Sequence, residues 1–370
     1  MLLRNISLYG SCRTLFTAEI TREPHIRPQV PYRRRRRHHR HTVNTPCRPS
    51  ISSIPSLVKA PSSHRRAIGT TTATMSRHPD FKTVEASRPD WDTSASVRFT
   101  KTADPDWTLG SGANHLASSS GASSKHVVID PYEPGRPLTS NYKLLISAIT
   151  PRPIGFVSTR SGPRKGEGES PADEETFNLA PFSYFNLMCN EPPIFALGVA
   201  SPLSRPKDTL RHLVANGECT VNIISEHFVE AANAAAVDAP TGYSEWPISG
   251  LTPVHDCETV AAPRVREAVF AVECRVESIR EFESRAAPGT KSSCVVLLEG
   301  QRFWVREDAL NAERNAVSPE ILRPMSRLGG ITYGRTTEAI ELPRLVFERD
   351  VGDEAYEKLK SKATTTETVA

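Results

Sequence analysis

The sequence predicts a mainly β (α+β) fold, an antiparallel barrel with flanking helices, which follows an N-terminal segment without regular structure. Two observations predict this class. After residue 126, apolar runs of strand length outnumber helical patterns, and short turns join most of them. No Gly-x-Gly-x-x-Gly motif follows a strand, and strands do not alternate regularly with helices as they would in a doubly wound sheet.

The predicted folded domain comprises residues 126–345, and residues 346–370 are expected to form a C-terminal tail. A helix is predicted after Pro206, because Leu210, Leu213 and Val214 form an apolar stripe that ends before Gly217. The predicted strands are Ile154–Thr159, Asn178–Asn186, Pro193–Ala200, Cys219–Ile223, Phe270–Val276, Ser293–Leu298 and Phe303–Val305. The other predicted helices are Tyr142–Ile149 and Glu226–Val237.

The positive charge of the chain is concentrated at its N-terminus. Residues 1–79 hold fifteen Lys and Arg but only two acids, which leaves 31 basic and 40 acidic residues in the remainder. The remainder is therefore acidic, whereas nucleic-acid binding relies on basic surfaces. We therefore do not expect nucleic acid as a partner of the folded part of this chain.

The composition of residues 1–75 resembles that of a mitochondrial transit peptide, rich in Arg, Ser and Thr and nearly free of acids. We expect a mitochondrial matrix protein, with Met75 as the start of a second, cytosolic form. The tract Arg33–Arg40 leaves two alternatives open, a solvated charge block or an RNA-binding arm. Residues 76–125 lack periodicity and include the Ser-rich stretch 118–124, which predicts a disordered linker.

The seven cysteines form no Cys-x-x-Cys pair, and their irregular spacing argues against a disulfide framework. Cys219, Cys274 and Cys294 fall inside apolar runs, where cysteine packs as a small hydrophobe. His212 and His227 lie in helical patterns and are interpreted as structural. No zinc-ligand spacing is present, and no apolar run is long enough to predict a membrane span.

The run Asn178–Asn186 is apolar and β-prone, yet it contains Pro181. A central strand does not tolerate proline, because the ring removes a backbone N–H from the ladder. We therefore predict that this run lies at a sheet edge or a bulge, where backbone groups are available to a ligand.

The segment Ser201–Thr209 carries the polar groups of a candidate anion site. Ser201, Ser204, Arg205 and Lys207 precede the predicted helix, and Asp208 and Thr209 stand at its start. Free N–H groups, the helix dipole and two cations together favour an anion. An ordinary capped helix with solvated charges explains the spacing equally well. Thr150-Pro-Arg-Pro153 is a further candidate, rigid and cationic, which could equally be a helix stop.

Four motifs occur in register: Pro151–Thr159, Asn178–Phe185, Lys207–Leu210, and Arg327–Gly330 with Tyr333. Together they resemble the flavin reductase-like family of FMN-binding split barrels. The resemblance covers about residues 140–335. It implies a six-stranded antiparallel split β-barrel, a homodimer, and FMN near the subunit interface. This sequence departs from the family pattern in the connection before Asn178, which is longer than is usual. We expect residues 161–175 either to cover the flavin or to lie on the surface.

By the same resemblance, the run Asn178–Phe185 lies along the flavin ring, and Ser201–Thr209 contacts the ribityl phosphate. The residues that the resemblance assigns to the FMN site are Thr150, Arg152, Asn178, Ala180, Pro181, Phe182, Ser183, Tyr184, Phe185, Ser201, Ser204, Arg205, Lys207, Asp208, Thr209, Arg327, Gly329 and Gly330, with Tyr333 beside them. The redox chemistry would belong mainly to the cofactor, with NADH or NADPH as electron donor. No catalytic side chain is predicted.

Three functions follow from these observations. The first is an FMN-dependent oxidoreductase, a flavin reductase or a related flavin-mediated electron-transfer protein. The second is an FMN-binding electron carrier without turnover. The third is a mitochondrial nucleic-acid-associated protein that uses the Arg33–Arg40 tract.

Overall fold

The structure is a computed structural model of the 370-residue chain, and it describes residues 81–119, 125–162 and 176–367. Within that part, Ala86 and the residues after it belong to one compact unit. The predicted basic segment 1–75 and most of the 161–175 connection lie outside the described residues. Among the described helices, none combines the length and the apolar character that crossing a membrane requires.

The centre of the fold is a seven-stranded sheet with the strand order β3-β2-β6-β9-β10-β5-β4, in which every neighbouring pair is antiparallel. Three two-stranded pairings, β1-β13, β7-β8 and β11-β12, accompany it in the described part. The strands are β1 Arg98–Phe99, β2 Gly155–Arg160, β3 Phe177–Phe182, β4 Phe185–Asn190, β5 Pro193–Val199, β6 Glu218–Ile223, β7 Pro253–Val254, β8 Arg264–Val265, β9 Phe270–Glu283, β10 Lys291–Val305, β11 Met325–Arg327, β12 Tyr333–Arg335 and β13 Glu338–Ala339. The predicted mainly β, antiparallel class is confirmed.

Most helices of the described residues are short. The helices are α1 Phe81–Ala86, α2 Leu116–Ser119, α3 Leu138–Ala148, α4 Asp208–Asn216, α5 Val229–Ala234, α6 Trp246–Ser249, α7 Pro319–Leu322 and α8 Gly352–Glu367. The helix predicted after Pro206 begins two residues later, at Asp208, and ends at Gly217 in the left-handed region (φ 67°). The predicted helix Glu226–Val237 is instead a 3₁₀ turn, Glu226–Phe228, followed by α5.

The two edges of the sheet are contiguous in sequence, because β3 and β4 are joined by Ser183 and Tyr184 alone. The run Asn178–Asn186 is therefore two strands and not the single strand predicted. The chain bends at Ser183–Tyr184 and crosses from one edge to the other. The Gly198 N–H on β5 donates to the Tyr184 carbonyl (2.7 Å), which links the crossing to the sheet.

The long strands β9 and β10 curl the sheet. Their register shifts at three places, between Lys291 and Ser293, between Leu297 and Leu298, and between Gly300 and Arg302. Bulges of this kind bend a strand and increase its twist, which brings distant edges of a sheet together. The sequence predicted two separate strands, 293–298 and 303–305, which the structure joins into one.

The sheet packs on both faces. Val157, Leu197 and Val296 lie in one buried apolar cluster, while Phe156 and Leu179 lie in a second with residues of the surrounding helices. All six residues of β2 are buried, as expected for a strand covered on both sides. The three cysteines predicted to be buried, Cys219, Cys274 and Cys294, are buried and unpaired.

Part of the predicted linker 76–125 has regular structure and packs on the domain. β1 pairs in parallel with β13, Val97 is buried, and the Arg323 guanidinium donates to the Ala95 carbonyl (3.1 Å). The predicted tail 346–370 contains α8. Neither segment carries a long apolar stripe in its sequence, so its regular structure could not be predicted from apolar periodicity.

Candidate functional site

Two adjoining cavities lie where the edge strand β3, the start of α4 and the end of α5 meet. The first has a volume of about 370 Å³ and the second about 760 Å³. They form one continuous groove, since the same residues line both at their junction, namely Pro181, Phe182, Ala200, Lys207 and Ala236. A concave groove of this size is the usual form of a small-molecule site.

Pro181 lies on an outer edge of the sheet, as predicted from its missing N–H. It pairs in register with Phe156 of β2 and has no strand on its other side. Its ring forms part of the wall of both cavities. Because Pro181 has no backbone N–H to donate, this side of β3 pairs with no strand and instead lines the cavities.

Aromatic rings form much of the first cavity. Tyr142 of α3, Phe182 and Tyr184 line it together with Tyr333. The Arg327 guanidinium lies 4.4 Å from the centre of the Tyr333 ring, a cation–π contact. Burial raises the pKa of Tyr184 and of Tyr333, so both phenols are neutral at physiological pH. These flat apolar walls suit a planar ring system.

The second cavity has cationic groups at its mouth. Arg205 and Lys207 come from the loop before α4, and Lys291 comes from the first position of β10. All three side chains are exposed. Lys207 is also the N-cap of α4, whose free N–H groups and dipole favour an anion. The Ser201 hydroxyl accepts the Lys207 N–H (3.3 Å) and fixes the loop.

Buried polar groups hold β3 against α4 beneath the second cavity. The Asn178 amide lies 2.9 Å from the Thr209 hydroxyl, and the Glu245 carboxylate accepts the Leu179 N–H (3.1 Å). Burial raises the pKa of Glu245. Because Asn178 and Thr209 contact each other, part of their hydrogen-bonding capacity is used in holding the cavity wall together. The Asp208 carboxylate pairs with Arg211 in the same way.

Arg152 supports the first cavity through backbone contacts. Its guanidinium donates to the carbonyls of Ile146 (2.6 Å), Ile149 (2.5 Å) and Leu328 (2.8 Å), and its backbone pairs with that of Arg327. The side chain thereby connects the end of α3 to the loop between β11 and β12. This explains why a cationic residue predicted to lie near a flavin edge is nevertheless buried.

The structure brings most of the predicted site residues together in this groove. Those that line the first cavity are Arg152, Pro181, Phe182, Ser183, Tyr184, Lys207, Arg327 and Gly330, together with Tyr333. Those that line the second are Asn178, Ala180, Pro181, Phe182, Ser201, Arg205, Lys207, Asp208 and Thr209. These residues come from segments that are far apart in sequence, and the fold brings them together.

Four predicted residues line neither cavity: Thr150, Phe185, Ser204 and Gly329. Phe185 points into the core, where its ring stacks on Phe195 with the ring centres 5.8 Å apart. Gly329 is a packing position, because an added Cβ would lie 3.2 Å from the Cβ of Ser147. Thr150 and Ser204 are exposed in the loops beside the groove.

Several lining residues were not predicted, notably Tyr142, Asn233, Glu245 and Lys291. Asn233 accepts a hydrogen bond from the Tyr333 hydroxyl (2.9 Å). An uncharged polar residue in the Ala-rich stretch that forms α5 was the available signal for it. Lys291 lines the groove from the first position of β10, far in sequence from the other lining residues, and local sequence patterns do not indicate such a long-range placement.

The two histidines interpreted as structural lie outside the groove. His212 is buried with its Nδ1 3.0 Å from the Thr159 hydroxyl, and burial lowers its pKa. His227 contacts the Glu267 carbonyl (2.9 Å). Within residues 81–119, 125–162 and 176–367, no three His, Cys, Asp or Glu side chains come together as a metal site would require.

Comparisons with known proteins agree with this architecture. Residues 147–320 match the family model described as a flavin reductase like domain. An uncharacterized protein of Halalkalibacterium halodurans is 34% identical over 205 residues, which are 55% of this chain and 90% of that protein. An uncharacterized protein of Deinococcus radiodurans is 35% identical over 214 residues, 57% of this chain and 87% of that protein.

A solved structure is also similar. The crystal structure of nitrilotriacetate monooxygenase component B from Bacillus cereus is 32% identical and superposes with a TM-score of 0.51. The match covers 59% of this chain and all of that chain (100%). The residues shared with these proteins thus form a complete domain, and this chain has additional segments beyond it.

Proposed function

This chain belongs to the flavin reductase-like family, and we propose that it is an FMN-dependent oxidoreductase that takes electrons from NADH or NADPH. The observation that carries the proposal is the continuous groove, which has aromatic walls at one end and cations at a helix start at the other. FMN has the same division, a planar ring system joined through a ribityl chain to a phosphate.

In this proposal Lys207 and Arg205, with the N–H groups at the start of α4, hold the phosphate. Tyr184, Tyr333 and the edge strand at Pro181 enclose the ring. The bound cofactor supplies the hydride and electron chemistry, which no side chain of the chain provides. The protein contributes orientation and exclusion of water, so the absence of a predicted acid–base pair is no obstacle.

The similarity to a monooxygenase component supports a redox role. In this proposal the reduced flavin passes its electrons to a second protein or to a small molecule. The apolar side chains of β4 support a homodimer in addition. Leu187 and Met188 are 55% and 62% exposed on this edge strand, and exposed apolar edges favour association. We propose that a second copy covers them.

The test uses the full chain. The purified protein is expected to retain or take up FMN, identified by its absorbance and by mass spectrometry of the released flavin. It should then oxidise NADH or NADPH when FMN is supplied. Flavin binding without oxidation of either nicotinamide would support the electron carrier instead. Failure to bind FMN at any concentration would contradict the proposal.

A further inference from the structure

The short strand β12 carries two contacts between an arginine and an aromatic ring. Tyr333 and Arg335 are two residues apart, so their side chains lie on the same face of the strand. The Tyr333 ring contacts the Arg327 guanidinium and lines the first cavity. The Arg335 guanidinium lies 3.8 Å from the centre of the Trp91 ring. Because a two-stranded pairing as short as β11-β12 is not stable alone, contacts outside it must fix the position of Tyr333.

Arg335 joins the domain to the N-terminal segment through a shared carboxylate. Its Nε lies 2.7 Å from Oε1 of Glu226, a side chain that is 11% exposed. The other oxygen of Glu226 pairs with Arg323, whose guanidinium donates to the Ala95 carbonyl (3.1 Å). Each of the two arginines therefore contacts the N-terminal segment, one at Trp91 and the other at Ala95.

Residues 91–99, which we call the N-terminal arm, are held at their far end as well. Val97 is buried, and β1 pairs in parallel with β13. The Arg98 N–H donates to the Thr337 carbonyl (3.0 Å), and the Arg98 side chain pairs with Glu338 (2.7 Å). The arm thus contacts the chain at Arg335 and again just after it, so it limits the movement of β12.

We propose that Trp91 is a positioning residue of the flavin site, which acts through Arg335 and β12 to hold the Tyr333 ring at the first cavity. The inference rests on the proposed function, which places the flavin ring at Tyr333. Without the contact to Trp91, β12 populates positions in which the Tyr333 ring is displaced. The apparent Kd of a ligand rises as the fraction of protein in the binding conformation falls.

The first measurement is the Kd of FMN and of riboflavin, by quenching of flavin fluorescence. Trp91→Ala should weaken both flavins equally, by about two- to fivefold, the range for a cation–π contact at an exposed site. Trp91→Phe keeps an aromatic face and should recover most of this loss. Trp107→Ala is the matched control and should change neither Kd, because the Trp107 indole donates to the Gly112 carbonyl (2.8 Å) within its own segment. Unchanged affinities in Trp91→Ala would overturn the inference.

A double-mutant cycle distinguishes positioning from a general loosening of the fold. Tyr333→Ala removes the ring through which Trp91 is proposed to act. Adding Trp91→Ala to that variant should therefore cause little further loss of flavin affinity. Losses that simply add would overturn the inference, because Trp91 would then act on the site by another route.

Amide hydrogen exchange separates this inference from the proposed function, because it needs no flavin. Trp91→Ala should speed up exchange in residues 325–335, which include β11 and β12, and leave the exchange of β9 unchanged. A wild type that binds neither flavin would contradict the proposed function, and the exchange rates would still decide whether the arm holds β12. Unchanged exchange in residues 325–335 overturns the inference at any flavin affinity.

Discussion

Lys207 stands where the two cavities meet, because it lines both of them. Its neighbours in the predicted site play different parts: the polar groups of Asn178 and Thr209 are engaged with each other, and Asp208 pairs with Arg211. At the scale of single residues, therefore, the predicted flavin residues divide into those free to contact a ligand and those that shape the wall. Lys207 is the clearest member of the first group.

Lys207→Ala should weaken FMN binding by about 1.5–3 kcal/mol, the usual loss for a charged hydrogen bond, or roughly 10- to 100-fold in Kd. Riboflavin, which has no phosphate, provides the control, and its affinity should be unchanged. Both constants can be measured by fluorescence quenching. An equal loss for riboflavin would indicate that Lys207 supports the fold of the groove rather than the phosphate.

The burial of His212 leads us to predict how the stability of the protein depends on pH. Burial holds its pKa below the ordinary value of 6.5. As the pH falls below about 6.5, the unfolded chain binds a proton that the native imidazole does not, so the free energy of unfolding decreases until the lower native pKa is reached. Above about pH 6.5, where His212 is neutral in both states, its contribution to the free energy of unfolding is fully present.

His212→Asn removes this titration and keeps a hydrogen-bonding group near the Thr159 hydroxyl. The urea midpoint of the variant should consequently fall less than that of the wild type between about pH 7.5 and pH 5.5. His115→Asn, at an exposed position, should retain the wild-type pH dependence. Parallel curves for the wild type and His212→Asn would contradict the prediction.

The crossing from β3 to β4 shows, at the scale of elements, what could be predicted from the sequence. Pro181 indicated an edge strand because its chemistry is local, and the structure places β3 at an edge. The bend at Ser183–Tyr184 was not predicted, because it depends on a contact with Gly198 of β5, fifteen or so residues away. Likewise the charge of Arg152 suggested a ligand contact, whereas three backbone carbonyls occupy its guanidinium.

Gly198→Ala tests the crossing. A Cβ at this position would lie 2.8 Å from the Cβ of Tyr184, so the bend must move away from β5. We expect a loss of about 1–3 kcal/mol in stability, as for other overpacked sites, and weaker FMN binding, since Tyr184 lines the first cavity. Gly300→Ala, whose Cβ would lie 3.2 Å from the Val272 side chain, also crowds the sheet but lines neither cavity, so it should leave FMN binding unchanged and is the control for that effect. Urea unfolding and FMN titration measure the two effects.

We also predict that the segment 86–119 stabilises the domain on which it packs. Its order rests on the burial of Val97 and on the hydrogen bond from Arg323 to Ala95. A chain that begins at Lys125 should be less stable by about 2 kcal/mol, the value of one fully buried aliphatic side chain. A chain that begins at Ala86 retains the segment and serves as the control. Equal thermal unfolding midpoints for the two shortened chains would mean that residues 86–119 act as a linker and do not stabilise the domain.

At the scale of the whole molecule, the sheet exposes the apolar edge strand β4 close to the groove, since Tyr184 precedes the strand and lines the first cavity. A dimer formed through β4 would therefore cover both the edge and the mouth of the proposed flavin site. Association and cofactor binding should accordingly be coupled, because whatever separates the subunits also exposes the aromatic walls to water.

Replacement of Leu187 and Met188 together by Lys should prevent this dimer, since each charge would have to be buried in an apolar contact. Light scattering after size exclusion is expected to give the mass of a dimer for the wild type and of a monomer for the variant, and the variant should retain less FMN. Leu342→Lys, at a side chain that is 74% exposed outside the sheet, should leave both properties unchanged. A wild-type monomer that binds FMN normally would contradict the coupling and leave the groove of one chain as the complete site.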